Sequence, residues 1–173
     1  MKINLIQESK SSLQDVVDSL TEQKNGTPWA EKTNQLAINY IIQLGDVYGD
    51  SWYKGFLLKE TFLEILLPKH GHSMTEETVF FPLDTTIEDA SECYKNIDSS
   101  PKQECWDAIN YLKEDIRKNG FNSSLVVVVI GDKLKHVDGL HRMIALYLLT
   151  KEGFDYKSIP VFLCDSSKTN AKQ

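Results

Sequence analysis

Asp138-Gly139-Leu140-His141-Arg142 is the segment whose residue types and spacing point most directly to chemistry. It joins a β-prone run to a helical one. A glycine at such a junction lets backbone approach a ligand closely, and the unpaired amides of the new helix's first turn attract anions with help from the helix dipole. His141 and Arg142 add side-chain donors in that same turn. Cations there oppose the helix dipole, so an anion is needed to offset them, and phosphate is the anion this arrangement suits. The competing reading is structural: Asp138 as a helix cap, His141 hydrogen-bonded in the core and Arg142 paired with a carboxylate.

Other polar groups carry weaker signals. His70 and His72 stand two apart in a glycine-containing loop, which is not the spacing of one helical face, and His136 and His141 are separated by a turn. Cys93, Cys105 and Cys164 form neither a CxxC pair nor a cysteine-histidine set at zinc spacing, so they read as reduced core thiols. Asp46 and Asp50 do not follow a calcium-loop pattern. No Walker-type loop or nucleophile elbow occurs.

The elements that must position the turn are marked to different degrees. Leu13, Val16, Val17 and Leu20 repeat at helical spacing, and Thr27-Pro28 launches a second helix from Trp29 to Leu44 with Gly45 as its stop. Gly45 to Gly55 reads as an aromatic loop, and Phe56 to Leu67 as a third helix closed by Pro68. Thr78 to Leu83 is a short β-prone run, followed by the acidic stretch Asp84 to Asp98. Ser100, Pro101 and Gln103 predict a capping box for a long helix ended by Asn119-Gly120. Leu125 to Ile130 predicts a strand buried on both faces, with Gly131-Asp132 turning into a partner strand, Lys133 to Val137. Leu140 to Thr150 is helical, and Ile159 to Leu163 reads as an edge strand because it contains Pro160.

Length and composition bound the function. The chain has 173 residues, a net charge of −6 and 41% apolar residues, enough for one ordinary core without disulfides or structural metal. A sequence pI near 5.2 works against nonspecific binding to nucleic acid or anionic membrane. No apolar run has the length of a membrane helix and the first residues contain no signal-like apolar region, so the expected location is the cytoplasm. Only Arg117 and Arg142 are arginines, the remaining cations being lysines, which makes the place of each informative.

From Ile109 to Leu163 the order of elements is an amphipathic helix ending in Asn-Gly, a hairpin, Val-Asp-Gly-Leu-His-Arg-Met-Ile-Ala-Leu and then Ile-Pro-Val. With the run near Phe80 included, this half of the chain resembles the ParB/sulfiredoxin superfamily. The resemblance implies an α+β fold in which a mixed sheet with flanking helices, residues 76–165, follows a mainly helical N-terminal region, residues 1–75, and precedes a flexible tail, 166–173. It also implies that the Gly-x-His-Arg turn binds nucleotide phosphates, usually with Mg²⁺. Sulfiredoxins carry cysteine where this chain has Leu140, and partition proteins bring a helix-turn-helix and basic charge that are not found here. What remains closest is the small-molecule kinase branch, which phosphorylates metabolites such as free serine.

On that resemblance the expected ligands are ATP or ADP with Mg²⁺ and the hydroxyl of a small metabolite. Asp138 is the candidate metal ligand or base, and Gly139, Leu140, His141 and Arg142 are the candidate phosphate cradle. Ser123 and Ser124 precede the long strand and are candidate nucleotide contacts. Glu88, Asp89 and Glu92 are candidates for the carboxylate that activates the acceptor, although each taken alone reads as a solvated loop acid. The alternative expectation is a nucleotide-responsive, ParB-like DNA-binding regulator or nuclease, which the acidic charge disfavours.

Overall fold

Leu125 to Ile130 has no polar side to show to water, and the chain folds so that both of its faces are covered. The computed structural model describes residues 3–22, 30–49, 51–71, 79–165 and 167. In chain order the elements are β1 (Ile6–Ser11), α1 (Leu13–Glu22), α2 (Ala30–Tyr48), β2 (Trp52–Leu58), α3 (Lys59–Leu63), β3 (His70–Gly71), β4 (Val79–Phe81), α4 (Ile87–Glu92), α5 (Ser100–Asn119), β5 (Leu125–Ile130), β6 (Lys133–Asp138), α6 (Leu140–Lys151) and β7 (Ser158–Cys164). The fold is α+β, with a mixed five-stranded sheet of order β1-β2-β7-β5-β6 and a separate β3-β4 hairpin. Among the described strand pairs of that sheet only β5-β7 runs parallel.

The alternation of side chains along β5 splits the core in two. Leu125, Val127 and Val129 join Ile109 and Ile116 of α5, Met143, Ile144 and Leu146 of α6, and Ile87 and Ala90 of α4. Val126 and Val128 face the other way, onto Val16 and Leu20 of α1, Ile41 and Leu44 of α2, and Trp52, Phe162 and Cys164 of the neighbouring strands. Fully burying each such aliphatic side chain contributes about 1.5–3 kcal/mol, so this strand is a main tie between the two layers of helices. The hairpin into β6 turns at Gly131, in the left-handed region at φ 64°, with Ile130 paired to Lys133.

The N-terminal half differs from its sequence reading. Trp52 to Leu58 is not loop followed by helix but strand β2, and the expected Phe56–Leu67 helix shrinks to the five residues of α3. Trp52, Gly55 and Leu57 are buried in the β2 pattern, and an apolar run this short does not tell strand from helix by periodicity alone. The polar strand β1 had no apolar alternation to mark it. Both strands belong to the same sheet as β5, β6 and β7.

Other boundaries shift for local reasons. Helix α2 runs through Gly45, where a Cβ would lie 2.7 Å from Leu13 of α1, and ends instead at Gly49, whose N–H donates to the Gly45 carbonyl at 2.7 Å. The N-cap of α5 is Ser99, not Ser100, and no side-chain capping bond forms there. The acidic stretch contains α4, capped by Thr86, whose hydroxyl accepts from the Asp89 N–H at 3.1 Å and donates to the Asp89 carboxylate at 2.8 Å. Strand β7 is not an edge: it lies between β2 and β5. Its β5 partner begins only at Val161, so Pro160 has a neighbour on the β2 side alone, where a missing donor is best tolerated. Thr27, Pro28, Trp29, Asp50, His72, Thr78 and the tail beyond Ser167 lie outside the described residues. Among the described residues no helix is long and apolar enough to cross a membrane.

The outer strand pair contains a bulge. Ile6 pairs with Phe56 and Ser9 with Lys54, which leaves one extra residue in β1, and Gln7 there takes φ 52°. Opposite it, a Cβ on Gly55 would meet the Ile6 carbonyl oxygen and the Leu5 Cβ at 2.9 Å each. Gly55→Ala is therefore expected to lower the urea midpoint by an amount corresponding to about 1–3 kcal/mol. An unchanged midpoint would mean that β1 moves aside at no cost.

Candidate functional site

The turn from β6 into α6 is made by one residue. Gly139 caps α6 with φ 103° and ψ 18°, and no side chain caps the helix. The first bond within the helix is Met143 N–H to the Gly139 carbonyl at 2.9 Å, so the amides of Leu140, His141 and Arg142 have no acceptor inside it. A Cβ at Gly139 would lie 2.4 Å from Leu125 Cδ2 and 3.1 Å from Arg142 Nη2. The position demands glycine twice, for its backbone angles and for its space.

Arg142 folds back over this turn. Nη2 donates to Asp138 Oδ2 at 2.6 Å, and Nη1 donates to the Ser123 hydroxyl and, at 3.3 Å, to the Ser124 carbonyl. Both charged side chains are only about one-sixth exposed, at 15% and 16%, so the pair is more than a solvated surface contact. The sequence-predicted residues Asp138, Gly139, Leu140, Arg142, Ser123 and Ser124 thus converge on one place. Asp138 also supplies part of the countercharge that Arg142 requires at a helix N-terminus. Nε–H makes no hydrogen bond to the described residues, which leaves the guanidinium a donor to offer.

The acidic candidates do not converge with them. Glu88 accepts from the Tyr147 hydroxyl at 2.7 Å and from Lys151 at 3.5 Å, contacts that hold its carboxyl below the usual range. Tyr147 lies seven residues into α6 from Leu140, roughly 10 Å along the axis. Asp89 closes the Thr86 cap and Glu92 pairs with Lys95 at 2.5 Å. Thr86 at the N-cap with Asp89 three residues on is a capping pattern that the reading of Asp84 to Asp98 as an acidic stretch passes over. Arg117, the other arginine, joins Glu114 and, at 2.6 Å, Glu152 on the outer surface.

His141, one residue before Arg142, turns away from the turn. Its ring lies 5.3 Å from the His70 ring, edge-on at 76°, and its Nε2 is shut off from solvent with no hydrogen-bond partner among the described residues. His70 is on β3, opposite Phe81 in register, and packs against the rings of Phe80 and Phe81 at 5.5 and 5.4 Å. His70 Nε2 is 3.6 Å from Cys105 Sγ on α5. The sequence reading kept these residues apart because 35 positions separate His70 from Cys105. Burial is the main cause that lowers His70 to about 4 and His141 to about 3, and it also lowers the nearby His136 to about 3. Burial raises the Cys105 thiol. All four groups are therefore neutral near neutral pH.

No family model, curated protein or solved structure matches the chain.

Mg²⁺ held together with a nucleotide keeps phosphate oxygens and waters as ligands and needs only one or two carboxylates. Asp138, the carboxylate at the turn, fits that requirement.

Two outcomes follow. Gly139→Ala should destabilise the fold by more than about 1 kcal/mol and displace the guanidinium, read by urea unfolding; a neutral result would show the turn to be pliable. The second concerns pH. The unfolded chain protonates its histidines near pH 6.5, whereas the folded rings resist until about 4 and 3, so below pH 6.5 the unfolded state binds more protons. Stability is then complete above about pH 6.5 and declines as pH falls below it. Urea midpoints at about pH 7.5 and about pH 5 should differ, the acid one being lower; equal midpoints would mean that the rings are open to water.

Proposed function

We propose that the turn between β6 and α6 binds the phosphates of a nucleotide, ATP or ADP with Mg²⁺, and that the protein transfers phosphate to the hydroxyl of a small metabolite such as a free amino acid. The observation that carries this reading is the placement of Arg142. Its guanidinium is anchored to Asp138, Ser123 and Ser124 at the Gly139 bend, where Nη2 lies 3.1 Å from the place a Cβ would take, and the three amides that follow have no acceptor within the helix. Backbone amides, a fixed guanidinium and a glycine without a Cβ in the way are the parts from which phosphate cradles are built.

The roles follow from these contacts. The amides of Leu140, His141 and Arg142 take phosphate oxygens, and Arg142 balances their charge with its remaining donor, Nε–H, on a guanidinium held in place by Ser123 and the Ser124 carbonyl. Asp138 is the residue that would hold Mg²⁺, which supplies charge neutralisation at the transferring phosphate. Glu88, Asp89 and Glu92 are engaged elsewhere, and Asp138, whose Oδ2 accepts from Arg142, is the carboxylate at the turn itself that would face an acceptor there. The His141 side chain has no part in this cradle, because its ring packs on His70.

Calorimetric titration with ATP and ADP in Mg²⁺, with a screen for transfer to free serine, threonine and sugars, tests the proposal. Arg142→Ala should weaken nucleotide binding by about 1.5–3 kcal/mol, roughly 10- to 100-fold, in a protein that remains folded by circular dichroism. Unchanged affinity in that variant would reduce Arg142 to a tie for the Ser123 loop, and no binding of any nucleotide would remove the proposal.

A further inference from the structure

Three elements distant in the chain, β3, α5 and the start of α6, bring His70, Cys105 and His141 together, with one ligand atom from each lying within 4.8 Å of the others. This is a different feature from the phosphate turn. His141 and Arg142 are consecutive, yet one ring faces the cluster while the other side chain crosses to Asp138 and Ser123.

One edge of the cluster has the length of a coordination edge, and the two to His141 are at most 4.8 Å. A thiolate at about 2.3 Å and an imidazole nitrogen at about 2.0–2.1 Å from one ion, subtending a tetrahedral angle, stand about 3.5–3.6 Å apart. The separation of Cys105 Sγ and His70 Nε2 is 3.6 Å. The third member supplies an independent reason to look for a ligand: His141 Nε2 is sealed from solvent and bonded to nothing among the described residues, a cost that native structures seldom leave uncompensated. The surroundings are those of a metal centre rather than of a solvated cluster. Phe80 and Phe81 wall one side, and the Tyr94 hydroxyl, buried and without a conventional hydrogen bond, sits by the Cys105 thiol as a ready outer-sphere donor.

We propose that His70, Cys105 and His141 bind a zinc-type divalent ion, with the fourth position left to water or another exogenous oxygen or nitrogen ligand. Two imidazoles with one thiolate match the borderline softness of Zn²⁺ and exclude Mg²⁺ and Ca²⁺, which require oxygen. Three protein ligands are the number that leaves a coordination position open. On binding, Cys105 Sγ gives up its proton to solvent and forms the sulfur–metal bond, so no oxidant or reductant is involved.

The test uses the full chain with Zn²⁺ or Co²⁺ alone and no nucleotide, so its result is independent of the phosphate proposal. One equivalent of Co²⁺ should produce thiolate-to-cobalt charge-transfer absorption that Zn²⁺ then bleaches, and Zn²⁺ should slow alkylation of Cys105 while leaving Cys93 unaffected. Cys105→Ser, close to isosteric, should abolish the absorption and the rise in thermal midpoint that Zn²⁺ gives the unaltered chain. Should that variant not fold, His70→Gln serves in its place, and the alkylation comparison needs no variant at all. Absence of the cobalt band, equal alkylation of Cys105 with and without Zn²⁺, or a response to Cu(I) alone would each overturn the assignment.

Discussion

The absence of a side chain at residue 139 is the constraint on which the site depends. With φ at 103° and Leu125 Cδ2 and Arg142 Nη2 pressed against the place where a Cβ would go, β6 passes into α6 without an intervening loop. The abrupt start fixes where α6 lies against β5, because Leu125 is itself the first residue of that strand and belongs to the same core as Met143 and Ile144. It also places Asp138, His141 and Arg142 around one bend, where the Asp138 and Arg142 side chains meet and the His141 ring leaves the other way.

Those directions separate two kinds of chemistry. Arg142 remains in polar contact with Asp138, Ser123 and the Ser124 carbonyl, a set of charge-assisted bonds that also ties the segment before β5 to the start of α6. His141 enters an aromatic, solvent-poor space with His70 and Cys105, where burial keeps imidazoles neutral and thiol protonated. Neutral imidazoles make poor partners for phosphate and good ligands for a transition metal. The acidic side chains once grouped with the turn belong to a third place, the outer face of α4, where they cap a helix and bind Tyr147, Lys151 and Lys95.

The half of the fold around β5 was legible in the sequence because its signals are local. A β-branched run, a Gly-Asp turn, a Gly at a strand end and an apolar helical repeat each predict one element, and β5, β6 and α6 follow them closely. The N-terminal half was not, because β1 is polar after Ile6 and β2 carries a short apolar run whose state is decided by the neighbours it finds, β1 and β7. The same holds for Pro160, which signals an edge in sequence but lies where the β5 partner has not yet begun. Within the site, Asp138, Gly139 and Arg142 were visible because they are adjacent, and Ser123 and Ser124 because they open the strand. The His70-Cys105-His141 grouping was invisible for the opposite reason: it is assembled from three elements by packing, and spacing along the chain carries no trace of it.

Phosphate at the first turn of α6 is what the proposed chemistry rests on. A crystal of the full chain grown with Mg²⁺ and a non-hydrolysable ATP analogue decides it. Terminal phosphate oxygens are expected on the amides of Leu140 to Arg142, with the Arg142 guanidinium beside them and the metal on Asp138. A nucleotide bound elsewhere, or an Asp138–Arg142 pair unchanged with only solvent at the turn, would contradict it.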